Sequence, residues 1–227
     1  MNRRRYLQSI GTAGVAATAG CLGMVPGLGT GRTVLGEPEI DLSAASHPSH
    51  GDDVPDVTLP DPLLGEEIST TEFAGERAFL MTFIYTNCPD GMCPALTLRL
   101  RRTQAVAAEE GYGDESAFLA TTFDPERDTA GVLEEFAVEQ GVDLDAGNWH
   151  FLRPESYEAG QELLEEEFGL VIEKASADEY ESLEYVFPHY NLILLVNKQG
   201  VVERAYPNGA TVDVERVVED FETVVTA

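Results

Sequence analysis

Two cysteines, Cys88 and Cys93, stand with four residues between them in FLMTFIYTNCPDGMCPALT, the stretch from Phe79 to Thr97. A thiol pair this close can form a bridge, exchange with other disulfides or hold a soft metal. A structural bridge across so short a loop would constrain the unfolded chain little. As metal ligands, thiolates select Cu(I), zinc or iron–sulfur clusters, and a nearby imidazole widens the choice to Cu(II). A closed zinc site wants four protein ligands, so two cysteines and one histidine suit copper better.

The chain has four histidines. His47 and His50 fall in a Gly/Pro/Ser-rich stretch and read as solvated linker residues. His150 follows Trp149 in an apolar strand and reads as packed. His189 follows Pro188 and precedes the apolar run Leu192 to Val196, so it sits at a strand entry, where loops gather around a site. It is the candidate third ligand.

The elements that must position these groups follow from hydrophobic patterning. Phe79 to Tyr85 is a short unbroken apolar run, which reads as a buried strand, and Asn-Cys-Pro-Asp-Gly after it reads as a loop. Pro94 suits the start of a helix, which places Cys93 at that helix's positive end and predicts a lowered thiol pKa. Leu96, Leu100, Ala105 and Ala108 form the expected buried face of this helix.

Phe118 to Phe123 is a second buried strand, ending in DPERDT, where Asp128 or Thr129 is expected to cap the next helix. Trp149 to Leu152 is a third strand, and Ser156 to Phe168 a helix stopped by Gly169. A strand from Leu192, a hairpin turn at Asn197 to Gly200, a strand from Val201 to Tyr206 and a helix from Val214 to Val224 close the chain. Short strands around Val57 to Thr70 make a hairpin-like start. This order predicts an α/β, thioredoxin-like sandwich: a central mixed β-sheet flanked by helices, with an N-terminal β-hairpin-like extension.

Three arginines precede a weakly apolar Ala/Gly stretch in NRRRYLQSIGTAGVAATAGC, which reads as an export signal. The arginines resemble a twin-arginine pattern, and Thr18-Ala19-Gly20-Cys21 resembles a lipobox whose Cys21 would be lipidated. The expected organisation is a signal over 1–21, a flexible tether over 22–56 and one domain over 57–227. The expected location is the outer face of the cytoplasmic membrane, held by the lipid. The formal net charge of -27, with lysine only at 174 and 198, excludes nucleic acid as a partner. Such an acidic surface is read as adaptation to high salt.

Three separated motifs carry a family resemblance: YTNCPDGMCP (Tyr85 to Pro94), FDPERDT (Phe123 to Thr129) and His189 in HYNLILLVNKQG. Together they resemble the Sco/SenC family of thioredoxin-fold, membrane-anchored copper chaperones for cytochrome c oxidase assembly. The resemblance implies that Cys88, Cys93 and His189 ligate copper, as Cu(I) or Cu(II), and that Asp124 lies near them. It also implies delivery to the dinuclear CuA centre of oxidase subunit II, with a thiol-reductase role in some members.

One departure is plain: the family spaces its cysteines by three residues and this chain by four. Gly91 can take a positive φ and let the loop bulge without moving the helix start. Met92 falls in the same stretch, either as a soft fourth ligand for Cu(I) or, the preferred reading, packed on the rim.

Two other classes use the same residues. A thiol–disulfide oxidoreductase needs Cys88 and Cys93 as its redox pair and tolerates loss of His189; Pro188 is its candidate cis-proline. A peroxidase-type enzyme, with Cys88 attacking and Cys93 resolving, lacks a visible arginine partner.

Overall fold

The computed structural model describes residues 31–178, 180, 183–188 and 191–227. Its centre is a five-stranded sheet in the order β5-β4-β3-β8-β9, built from β3 (Ala78–Ile84), β4 (Ser116–Thr122), β5 (Trp149–Leu152), β8 (Ile193–Val196) and β9 (Val202–Tyr206). β3 runs parallel to β4, and β4 to β5, whereas β8 and β9 are antiparallel additions. Every residue of β3 and β4 is buried, which is why their sequences are mostly apolar runs, broken only by small hydroxyl residues such as Thr82 and Thr121, rather than alternating ones. The expected mixed sheet is what forms.

Side-chain alternation along β3 assigns the two covering layers. Leu80 is in register with Phe118, whose ring lies 5.6 Å from Phe221 in α4 (Val214–Val225). Beside α4 on that face lies α1 (Met92–Glu110). Phe83, of opposite parity to Leu80, meets Phe168 at 4.9 Å at the end of α3 (Tyr157–Phe168). The fourth helix, α2 (Ala130–Gln140), follows β4. A hairpin of β1 (Thr58–Asp61) and β2 (Glu66–Ser69) precedes the sheet, and the two-residue strands β6 (Ala175–Ser176) and β7 (Tyr185–Val186) pair in the long connection to β8.

Local chemistry sets the helix ends. Ser156 accepts the Ala159 N–H at the start of α3, and Asp213 accepts Arg216 N–H at the start of α4. The buried face of α1 differs in part from the expectation. Leu96 and Leu100 are buried, but Ala107 takes the place assigned to Ala108, which is exposed. Thr103, Gln104 and Arg99 join that face because each reaches a backbone carbonyl: Thr103 Oγ1 to Arg99 O, Gln104 Nε2 to Asp143 O, and the Arg99 guanidinium to Val212 O. A periodicity read from apolar residues alone misses polar side chains that bring their own partners.

The clearest difference concerns the tether expected over 22–56. From residue 31 onward the chain is packed against the domain as a strap. Gly51 and Val54 donate backbone N–H groups to Val202 O and Gly200 O, and Val202 N donates to Asp52 O, each at 2.9 Å. These bonds cover the outer edge of β9, whose backbone would otherwise stand open to other chains. Farther back, the buried Glu203 carboxylate accepts the N–H groups of Val34 and Leu35, at 2.8 and 2.9 Å, and Asn197 Nδ2 at 2.6 Å. Backbone pairing and one buried carboxylate leave no hydrophobic period, so composition alone reads as a linker.

Glu203→Ala would leave these donors without an acceptor. It is expected to cost about 2–3 kcal/mol, read as a lowered urea midpoint with an unchanged slope.

Candidate metal centre

The carboxyl ends of β3 and β4 and the entry to β8 lie at one end of the sheet, because β8 runs antiparallel to β3 with Thr82 opposite Ile193. Loops at the carboxyl ends of parallel strands are where open α/β sheets bind ligands. Here the β3–α1 loop carries Cys88, and Cys93 is the second residue of α1.

The helix starts at Met92, two residues before the expected proline, because Gly91 takes the N-cap position with φ 75° and ψ 7°. A non-glycine residue pays a backbone penalty there. The extra loop residue is thus absorbed as a left-handed bend, as the glycine suggested. Asp90 Oδ1 completes the turn by accepting Met92 N–H at 3.0 Å and the Cys88 thiol at 2.9 Å.

The two sulfurs have unequal surroundings. Cys88 is half-buried, and its Sγ accepts the Cys93 N–H at 3.3 Å. This amide, in the first turn of α1 where no intrahelical carbonyl is available, is therefore aimed at Cys88. Cys93 is fully buried, and its Sγ accepts the Tyr85 N–H at 3.4 Å. Desolvation pushes the Cys93 thiol well above its ordinary value, with the adjacent Cys88 sulfur adding in the same direction. This corrects the expectation of a lowered pKa at Cys93. The sequence places it correctly at a helix start, but burial outweighs the helix field. Neither Cys88 nor Cys93 is in a disulfide. Met92 is half-buried and packs against the core.

The other motifs converge on the same end. Asp124 is fully buried and accepts the Tyr185 hydroxyl at 2.9 and 3.0 Å, with Arg127 Nε at 3.9 Å. Burial raises its pKa, although Tyr185 and Arg127 pull the other way. The Tyr185 hydroxyl is in turn pushed up to about 12, by burial first and then by Asp124.

Asp128 is not a helix cap. Its carboxylate accepts Thr86 N–H and, at 2.5 Å each, the hydroxyls of Thr86 and Thr122. It therefore ties the loop leading to Cys88 to the end of β4. Thr129 holds the N-cap position of α2 without a side-chain bond.

Tyr85 sits between the loops: its ring lies 5.3 Å from Phe123 and 5.1 Å from Phe187. Tyr85, Asp90 and Asp128 were not singled out as site residues by sequence reasoning, although Asp90, just ahead of a helix start, carried a recognisable turn signal.

His189, like Cys21, lies outside the described residues. Its neighbours Phe187 and Leu192 are described: Phe187 packs on Tyr85 and Phe123, and Leu192 O accepts the Thr82 hydroxyl at 2.8 Å. His150 is buried on β5 with Nδ1 3.5 Å from Asp61 Oδ2, as a packed residue. Among the described residues all peptide bonds are trans, including that before Pro188. Among them, too, no three His, Cys, Asp or Glu side chains are grouped to hold a metal, and no helix is long and apolar enough to cross a membrane. What the described residues do offer is a soft donor pair of two adjacent thiols that are not bridged to each other, which fits copper.

The SCO1/SenC family pattern matches residues 63–226. The chain belongs to the SCO1/SenC family. Comparison with curated proteins returns no match. Among solved structures, a SCO1/SenC family lipoprotein from Bacillus anthracis is 22% identical over 76% of this chain and 94% of its own, with a TM-score of 0.60. BsSco, a member of the Sco family of cytochrome c oxidase assembly proteins in which a disulfide switch was identified, is 23% identical over 78% and 96%, at TM-score 0.61. ScoI of Bradyrhizobium japonicum with copper bound is 17% identical over 78% and 99%, at TM-score 0.57. These likenesses establish the Sco thioredoxin-like fold.

Proposed function

We propose that this SCO1/SenC protein is a copper chaperone that takes its cargo on Cys88, Cys93 and His189 and helps assemble the CuA centre of cytochrome c oxidase subunit II. The observation that carries the reading is the pair of adjacent thiols, not joined in a disulfide, at the carboxyl end of β3. Copper bound to Bradyrhizobium ScoI and the oxidase-assembly role of the BsSco family support it. Thiols bind the metal as thiolates and release protons, and an imidazole completes a set that accepts Cu(I) or Cu(II). Transfer is an exchange of these ligands for those of the acceptor. Asp124 serves behind the ligands by fixing Tyr185 at the rim.

The same reading places the protein outside the cytoplasmic membrane, exported through its arginine-led signal and held by a lipid on Cys21. A lipoprotein among its structural relatives supports that anchor. The acidic surface then belongs to a protein that works in high salt.

The test is copper titration of the reduced protein, wild type against His189→Ala. A loss of affinity of at least about tenfold is expected. Unchanged affinity beside intact disulfide exchange would instead assign the thiol pair to an oxidoreductase, a reading that the thiols' adjacency and the disulfide switch of BsSco favour.

A further inference from the structure

The start of α2 carries donors that the fold leaves unused. Thr129 holds the N-cap without a side-chain bond, and the first turn contains no acidic residue. Among the described residues, none accepts the N–H of Ala130 or Gly131. The first amides of a helix have no carbonyl within it and lie at the positive end of its dipole, where anions bind.

A different kind of donor shares their surroundings. Ala130 and Gly131 line a cleft of about 340 Å³ together with Trp149, the first residue of β5. Trp149 is 4% exposed, and its Nε1–H meets no acceptor among the described residues. An indole nitrogen can only donate, and a buried donor left alone costs about 1–3 kcal/mol. Stacking on Phe118, with ring centres 6.1 Å apart, fixes the indole plane.

The opposite wall is apolar. Leu63 and Leu64 from the β1–β2 turn line it, and Leu144 lines the cleft beyond α2; Leu64 is left 52% exposed. Glu134, one turn along α2, is the one charged residue of the lining. Space at the helix start comes from Gly131, where an added Cβ would meet no atom within 4 Å. The volume is near the lower end of small-molecule sites, which run from about 300 to 1,000 Å³, so a short chain fits and a two-tailed lipid does not.

We propose that this cleft binds a monocarboxylate with a short apolar chain. The carboxylate accepts the Ala130 and Gly131 N–H groups and Trp149 Nε1–H, and the chain lies on Leu63, Leu64 and Leu144. A carboxylate brings acceptors and no donor, which matches a cleft whose uncommitted groups are all donors. Its charge meets the positive end of α2. The site is separate from the thiols and does not depend on the copper reading.

Octanoate is the probe, titrated into the metal-free full chain labelled with ¹⁵N. Trp149 is the only tryptophan, so the single indole N–H resonance reports on the cleft directly. A saturable downfield shift of that resonance and of the Gly131 amide is expected. In Gly131→Leu a side chain occupies the cleft while helix propensity rises; affinity should fall at least about tenfold at an undiminished melting temperature. Trp149→Phe, followed through the Gly131 amide, should bind about fivefold more weakly, the loss of one hydrogen bond. Glu134→Gln should bind at least about twofold more tightly, since a like charge is removed. The Cys88→Ser, Cys93→Ser double variant should bind octanoate as the wild type does, which keeps this test apart from the copper titration. No saturable shift, or binding unchanged in Gly131→Leu, would overturn the site. Octanamide bound as tightly as octanoate would overturn the carboxylate as its ligand.

Discussion

Treated with iodoacetamide at neutral pH, the reduced protein is expected to lose the Cys88 thiol at least about a hundredfold faster than the Cys93 thiol. Alkylation needs both access and thiolate, and the structure separates the two cysteines on both counts. Cys88 is partly open to solvent, and its sulfur receives the N–H of the helix start. Cys93 has no exposed surface, its sulfur is engaged by Tyr85 N–H, and burial holds its thiol well above the ordinary range.

Reaction at Cys93 therefore requires a local opening. An opening that costs about 3 kcal/mol slows modification about a hundredfold. The sign of the pH dependence follows from the raised pKa: the thiolate fraction at Cys93 stays small until the pH rises well past the ordinary thiol range. Peptide mass analysis over time measures the ratio. Equal rates would contradict the burial of Cys93. Copper loading is expected to protect Cys88 as well, since a ligating thiolate cannot also attack the reagent; continued fast labelling of the loaded protein would count against Cys88 as a ligand.

The architecture was readable from the sequence wherever a single signal dominated. β3 and β4 are buried on both faces, so each appears as a mostly apolar stretch of strand length without charged residues. α3 and α4 carry their caps, Ser156 and Asp213, in the sequence. The pairing of Cys88 with Cys93 was readable because a single short loop holds both. Gly91 was readable because an inserted residue ahead of a helix needs a bend that glycine makes cheaply.

Competing effects were harder to read. At Cys93 the helix field and burial act in opposite directions, and only the structure shows that burial wins. Local capping chemistry offers Asp128 or Thr129 as the cap of α2, and Thr129 holds that position; the partners of Asp128, Thr86 and Thr122, belong to two different strand ends. The strap failed for the same reason. Glu203 lies 168 residues beyond Leu35, to which it bonds, and no local pattern announces a partner so distant.

Tyr85→Ala is expected to cost about 3–5 kcal/mol of stability, the range for emptying a buried aromatic site, and to weaken copper binding along with it. Tyr85 is 2% exposed and meets Phe123 from the β4 loop and Phe187 from the approach to β8. Phe187 extends the cluster to Tyr157 and Tyr185, at 5.9 and 5.4 Å. Three loops distant in sequence are thus pinned by one set of rings, and Tyr185 carries that order to Asp124.

Removing the Tyr85 ring leaves a cavity where the loops meet, and the surrounding backbone can collapse into it only by shifting the loops. The conservative variant separates the contributions. Tyr85→Phe keeps the ring and loses only the hydroxyl, which interacts with the Phe187 backbone, so about 1 kcal/mol is expected. Urea denaturation of both variants gives the two costs, and copper titration of the folded fraction gives the effect on the site. A cost below about 1 kcal/mol for Tyr85→Ala would mean that the rings do not hold the loops. Full stability loss with unchanged copper affinity would mean that the ligands are positioned by Asp90 and Asp128 instead.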